Sequence, residues 1–243
     1  TVVSGSADIP VPDAPPAPDA AESLQPGQRG KVLLAEDNPV NQMVAKAMLE
    51  RLGVEVEIAG NGEEALALVD AQHFDLVLMD CQMPLMDGYQ ATAAIRQRQA
   101  GNPHHLPIIA LTANAMEEDR NKCLAAGMDD YLSKPYAFTD LERMMTHWLR
   151  PATRDPVATT SAFPASEHEN ALNMQFLKQF QELDPSGSLI RNIMQAFLDN
   201  AEDTILQIEQ AVAAEDAEGL RRSAHTLKSS SANVGAEKLS ALF

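Results

Sequence analysis

The chain has 243 residues, 45% of them hydrophobic, with 18 Lys and Arg against 35 Asp and Glu, for a net charge of −17. At roughly 100–200 residues per domain that length holds one large or two small domains, and the apolar fraction is too high for a wholly disordered chain. The acidity argues against nucleic acid or an anionic membrane as a direct partner; no apolar run approaches the roughly 20 residues of a membrane span; and two cysteines, Cys81 and Cys123, cannot make a disulfide scaffold, which fits a reducing compartment.

Residues 1–30 hold six of the fifteen prolines among Ala, Ser, Gly and Asp, and read as a linker. The chain starts at Thr1 without a signal peptide and reads as a fragment of something longer. From Lys31 to Arg150, short apolar runs alternate with helical patterns. Lys31–Ala35 reads as a buried strand, and Pro39–Leu52 as a helix stopped by Gly53. Val54, Val56 and Ile58 alternate with Glu55 and Glu57, as expected near a sheet edge. Asn61 with Glu64 caps a helix to Gln72, Leu76–Met79 is the third strand, and a helix runs from Gly88 to Gln99. Pro107–Leu111 is the fourth strand, Asn114 with Glu117 caps a helix to Ala126, Tyr131-Leu132 lies in the fifth strand, and Thr139 with Glu142 caps a helix to Arg150. Five β–α units predict an α/β fold, a doubly wound parallel sheet with helices on both faces. A second Pro-containing linker spans 151–170. Residues 171–243 show only helical periodicity: a short helix with Leu172, Phe176, Leu177 and Phe180, then an apolar stripe at 190, 193, 194, 197, 198, 201, 205, 208 and 212, then a helix from Asp216 with Leu220, Ala224, Leu227, Ser231 and Val234 on its stripe. This is an all-α bundle.

In a doubly wound sheet the active crevice lies at the carboxyl ends of the strands. There strand 1 delivers Glu36 and Asp37, strand 3 Asp80, strand 4 Thr112 and strand 5 Lys134. Three gathered carboxylates repel unless a cation joins them, and hard oxygen donors with room for water and phosphate suit Mg²⁺. A lysine and a hydroxyl beside such a cluster can hold an added phosphoryl group. With the common strand order 2-1-3-4-5, Asp80 is central and is the natural nucleophile. Each residue alone has an ordinary alternative: Asp80 a helix cap, Thr112 a turn hydroxyl, Lys134 a solvated charge. Their recurrence after successive strands favours the site.

Residues 31–150 resemble the receiver domain of two-component response regulators, a flavodoxin-like fold. The acidic pair matches Glu36-Asp37; the phosphoacceptor motif matches Asp80-Cys-Gln-Met-Pro-Leu-Met-Asp-Gly88; the hydroxyl switch matches Thr112, the Lys-Pro pair Lys134-Pro135 and the switch aromatic Tyr131. The resemblance implies that Asp80 takes a phosphoryl group from a phosphohistidine. It implies Mg²⁺ held by Asp37, Asp80 and the backbone carbonyl of Gln82, with Glu36 acting largely through water, and a cis Lys134–Pro135 bond.

In the second block, His225 sits one position off the apolar stripe on its exposed flank, with Arg221 and Arg222 a turn before and Lys228 and Ser229 after. Its plain alternative is a surface histidine in a basic turn. Ala224-His225-Thr-Leu-Lys228-Ser229 resembles the phosphoacceptor helix of histidine phosphotransfer (HPt) domains, with Ser at 229 where Gly is commonest. The resemblance implies phosphorylation of His225 with support from Lys228, Arg222 and Ser229. Only eighteen residues follow His225, so the four-helix bundle of that family is expected to be C-terminally incomplete.

Together these imply the receiver and HPt part of a hybrid sensor histidine kinase: phosphoryl transfer from an upstream kinase core, carried on the same parent chain, to Asp80, then to His225, then to the receiver of a downstream response regulator. The domains are expected in the cytoplasm, on a parent that can be anchored in the inner membrane. No ATP-binding motif is visible, so autophosphorylation from ATP is not expected. The alternative class is a non-catalytic receiver that docks on a partner. A haloacid-dehalogenase-type phosphatase is disfavoured, because Gln82 stands where a second Asp is needed. Cys81 and Cys123 read as small partly buried thiols, and His73, His104, His105, His147 and His168 show no metal-ligand spacing.

Overall fold

The computed structural model describes residues 30–101, 104–113, 117–149, 178, 180–181 and 184–243. The expected linkers (1–30, apart from Gly30, and 151–170), most of the helix expected around 172–180 and the cap Asn114 lie outside the described residues. The first block forms β1 (Lys31–Ala35), α1 (Pro39–Arg51), β2 (Glu55–Ala59), α2 (Gly62–Ala71), β3 (Leu76–Asp80), α3 (Gly88–Arg98), β4 (Ile108–Thr112), α4 (Glu117–Ala126), β5 (Asp130–Ser133) and α5 (Phe138–Trp148). The second contributes α6 (Ser188–Ala213), α7 (Ala217–Asn233) and the short α8 (Glu237–Ser240).

The sheet is parallel, as the apolar runs predict, and its order is β2-β1-β3-β4-β5, the common doubly wound order that makes β3 and Asp80 central. β3 and β4 are buried throughout, whereas edge strand β2 exposes Glu55 and half-exposes the three residues after it. Alternation divides the core. Val32, Leu34, Leu76, Leu78, Ile109 and Leu111 pack with Val44 and Met48 of α1 and Leu141 and Met145 of α5. Leu33, Ala35, Val77, Met79, Ile108 and Ala110 pack with Ala65, Ala91, Ile95 and Cys123 on the other face. Both cysteines are buried, with their sulfurs 3.9 Å apart.

Helix starts follow local chemistry. The Asn38 side chain accepts from Val40 and Asn41 with Pro39 in the first turn; Asn61 accepts from Glu64; and Asp87 with Gln90 forms a capping box on α3. The start of α5 differs from the expectation. Its N-cap is Ala137 without a side-chain cap, and Thr139 lies exposed in the first turn. Packing of Tyr136 and Leu141 into the α1–α5 core fixes this start instead.

Asp216 caps α7 by accepting from the Gly219 N–H, after a tight Ala214–Asp216 connection from α6. The buried face of α6 is also narrower than its apolar stripe. Ile193, Phe197, Thr204 and Ala211 are buried, while Leu198, Ile205 and Val212 are 54%, 48% and 59% exposed. Ala211 lies against Gly219, where small residues allow the two helices to approach. Both α6 and α7 pack on α1. The α1–α5 core accordingly continues into Ile193, Phe197, Val234 and Ala236.

Candidate functional site

The carboxyl edge of the sheet gathers the expected residues. Glu36, Asp80 and Thr112 are buried and Asp37 is half-buried. Carboxylate oxygens of Glu36, Asp37 and Asp80 all lie within 4.8 Å of one another. Lys134 Nζ donates to Glu36 Oε2 at 2.5 Å and to Asp80 Oδ2 at 2.7 Å, with its own side chain only 5% exposed. The Lys134 N–H donates to the Thr112 carbonyl at 2.6 Å, which ties the ends of β4 and β5 together, and the Lys134–Pro135 bond is cis. The Gln82 N–H donates to Asp80 Oδ1 at 3.2 Å. Gly88 opens α3 directly against the end of β3, where a Cβ would collide with the Asp80 carbonyl oxygen. Tyr131 is half-buried on the α2–α4 side of the sheet.

Among the described residues three carboxylates face one ammonium, so this part of the pocket is short of positive charge. Burial, with the charge of Asp80, raises the Glu36 carboxyl well above the usual range despite Lys134. Burial and Asp80 push Asp37 up to about 6, again against Lys134. Burial works against the Lys134 charge, but Asp80 and Glu36 overcome it and hold the ammonium firmly protonated. The donor set is all oxygen, crowded and under-neutralised, and so has the chemistry of a divalent-cation site.

Across from this edge stands His225. It lines a crevice of about 790 Å³ together with Asp37, Gln82, Tyr89, Gln207 and Arg222. The flank expected to be exposed is therefore partly covered by the chain's own α/β domain. Burial lowers the pKa of His225, Asp80 opposes the shift, and Lys134, Arg221 and Lys228 reinforce it. Asp80 and Lys134 are thus close enough to act on the imidazole across the crevice. Of the expected supporting residues, Arg222 lines the crevice and Lys228 is exposed. Ser229 is buried, and its hydroxyl accepts from Asn41 Nδ2 at 3.0 Å.

The sequence reading missed Asn41 and Asn233. Asn41 Nδ2 also donates to Glu36 Oε1 at 2.8 Å, and its Oδ1 accepts from Asn233 Nδ2 at 2.8 Å. A signal existed, since Asn41 falls on the buried face of α1 with Val44, Ala45 and Met48, where a polar residue needs a partner.

The model of the response regulator receiver domain family matches residues 32–146, and that of the Hpt domain family matches residues 192–242. The chain belongs to the receiver family, with an Hpt domain behind the receiver. The sensor histidine kinase GacS of Pseudomonas protegens is 36% identical over 218 residues, which is 87% of this chain and 23% of that protein. The chain spans under a quarter of the length of GacS from Pseudomonas protegens and from Pseudomonas syringae pv. syringae, and of probable histidine kinase 1 of Oryza sativa subsp. indica. Among solved structures, the receiver domain of sensor histidine kinase PA1611 from Pseudomonas aeruginosa PAO1 is 47% identical over 50% of this chain and 98% of that one, at a TM-score of 0.46. The co-crystal structure of yeast Ypd1 with the receiver domain of Ssk1 matches at 31% identity over 49% of this chain and 88% of that one, at a TM-score of 0.47. A receiver followed by an Hpt domain is a phosphorelay signalling arrangement. No helix among the described residues is long and apolar enough to cross a membrane.

Proposed function

We propose that this chain relays a phosphoryl group from an upstream kinase histidine to Asp80, and from Asp80 to its own His225. The observation that carries the second step is the placement of His225 on the crevice that faces the acid pocket. In the first step an Asp80 carboxylate oxygen attacks phosphorus and the bond to the donor's imidazole nitrogen breaks. In the second the unprotonated ring nitrogen of His225 attacks, the phosphorus–oxygen bond to Asp80 breaks, and the carboxylate is regenerated. The lowered pKa of His225 keeps that nitrogen free at neutral pH. Lys134 already touches Asp80 Oδ2 and is placed to hold the charge of an incoming phosphoryl oxygen, with the Thr112 hydroxyl on the neighbouring strand end. From His225 the group passes to the receiver of a separate regulator.

Asp37 and Asp80, with Glu36 beside them and the Gln82 carbonyl as a further donor, would hold Mg²⁺. The ion would supply positive charge to the oxygens of the transferring group. The PA1611 receiver domain carries a magnesium ion coordinated in its active-site cleft, which supports the same ion here.

The test is labelling from a phosphorylated kinase core. The chain should acquire an acyl phosphate and then a phosphohistidine. Asp80→Asn should abolish both, and His225→Gln should abolish the phosphohistidine alone. Labelling of His225 in the Asp80→Asn chain would refute the order.

A further inference from the structure

We propose that Asn41, Ser229 and Asn233 form a polar lock that sets the register between receiver and Hpt helix, with Asn41 a positioning residue for transfer from Asp80 to His225. The proposal rests on the reading of Asp80 as the donor. All three residues are buried, at 3%, 8% and 5% exposure. An asparagine amide offers two N–H donors and one acceptor oxygen, and in Asn41 all are engaged. One N–H goes to Glu36 in the acid pocket and the other to Ser229, while the oxygen takes the N–H of Asn233.

Turning the amide over would set its oxygen against Glu36 Oε1 and its N–H groups against those of Asn233. The acid pocket therefore fixes the orientation of Asn41, and the Hpt helix must present an acceptor and then a donor to match it. His225, Ser229 and Asn233 follow one another at four-residue spacing and share one face of α7. Asn41 lies in the first turn of α1, four residues after Asp37. Seating Ser229 and Asn233 on Asn41 thus sets His225, one turn earlier, over the strand ends. The surrounding contacts of Phe197, Val234 and Ala236 are apolar and non-directional. A slip along α7 keeps much of that burial but strands the buried amides and the hydroxyl without partners, so the polar contacts select the register.

The experiment uses the full 243-residue chain with Mg²⁺ and [³²P]acetyl phosphate, an acyl phosphate that can load Asp80. Rapid quenching separates the base-labile acyl phosphate from the acid-labile phosphohistidine. Asn233 does not touch the acid pocket, so Asn233→Ala should load Asp80 at the normal rate and pass the group to His225 about tenfold more slowly. Asn41→Ala should slow the same transfer about as much. The double variant should be no slower than the slower single variant, because either change already breaks the lock. Ser229→Ala, which keeps the helix, should slow transfer by about threefold and gives the same test if Asn233→Ala disturbs folding. Unchanged transfer in these variants, or a double variant showing the product of the two single effects, overturns the lock alone. A wild-type chain that loads Asp80 but never His225 overturns the relay reading and the lock together.

Discussion

The two proposed phosphoacceptors sit in opposite electrostatic settings. Asp80 ends a buried strand in a pocket of three carboxylates, with the nearly covered side chain of Lys134 placing its ammonium against them. His225 sits on a helix whose neighbouring cations, Arg221, Arg222 and Lys228, are exposed. The difference follows from the resting charge of each nucleophile. A carboxylate must stay ionised to attack, so burying it requires burying positive charge with it. An imidazole attacks in its neutral form, and its partner's negative charge arrives only with the phosphoryl group. Surface cations, screened by water, are then sufficient. Under the proposed relay the receiver pocket is prearranged before phosphate arrives, whereas the helix that carries His225 borrows much of its surroundings from the domain packed on it.

The sharpest way to break this comparison is to remove one lysine from each setting. Lys134→Met takes the only cation contacting Glu36 and Asp80 out of the described pocket and removes a donor to the transferred group. Loading of Asp80 from acetyl phosphate should fall about a hundredfold, the scale of losing one preorganised donor at a site of developing charge. Lys228→Met removes an exposed charge, and transfer to His225 should slow only about threefold, as expected for a solvent-screened interaction. Rapid-quench rates for the two variants measure the ratio directly. Equal losses would mean that burial of the lysine is irrelevant to the chemistry.

The same contrast explains what could be read from the sequence. The acid pocket was legible because each of its residues follows a separate apolar run, and a parallel sheet brings all such positions to one edge. Order along the chain therefore became proximity in space. The Hpt docking had no comparable pattern. Asn41 and Ser229 are 188 residues apart in the chain, and nothing in either helix alone names its partner. The buried face of α6 departs from its apolar stripe for a related reason. Leu198, Ile205 and Val212 are as apolar as a core demands, yet Ala211 lies inside, where Gly219 lets α7 come close, and Thr204 lies inside with its hydroxyl bonded back to the Asn200 carbonyl. Hydrophobic periodicity tells that a helix has a face, not which neighbour comes close enough to bury it. At α5 the Thr139 cap signal was outweighed by the packing of Tyr136 and Leu141.

The smallest expected effect concerns stability, and it asks whether the receiver pocket is strained by its own charge. Asp37 has its carboxyl raised from 3.8 to about 6 by burial and by Asp80. A raised folded-state pKa means that the folded chain holds the proton more tightly than the unfolded chain. That contribution is fully present below about pH 4 and is lost as pH rises through about 6. At pH 7 without metal, the ionised Asp37 should therefore weaken the receiver, and Asp37→Asn should melt several degrees higher than wild type. The gap should narrow steadily as pH falls from about 6 to about 4. Mg²⁺ at pH 7 should raise the wild-type melting temperature and leave Asp37→Asn nearly unmoved, because the ion neutralises the charge that the substitution deletes. A gap that widens on acidification would mean that Asp37 is held ionised by its neighbours, and that the pocket is balanced before any cation binds.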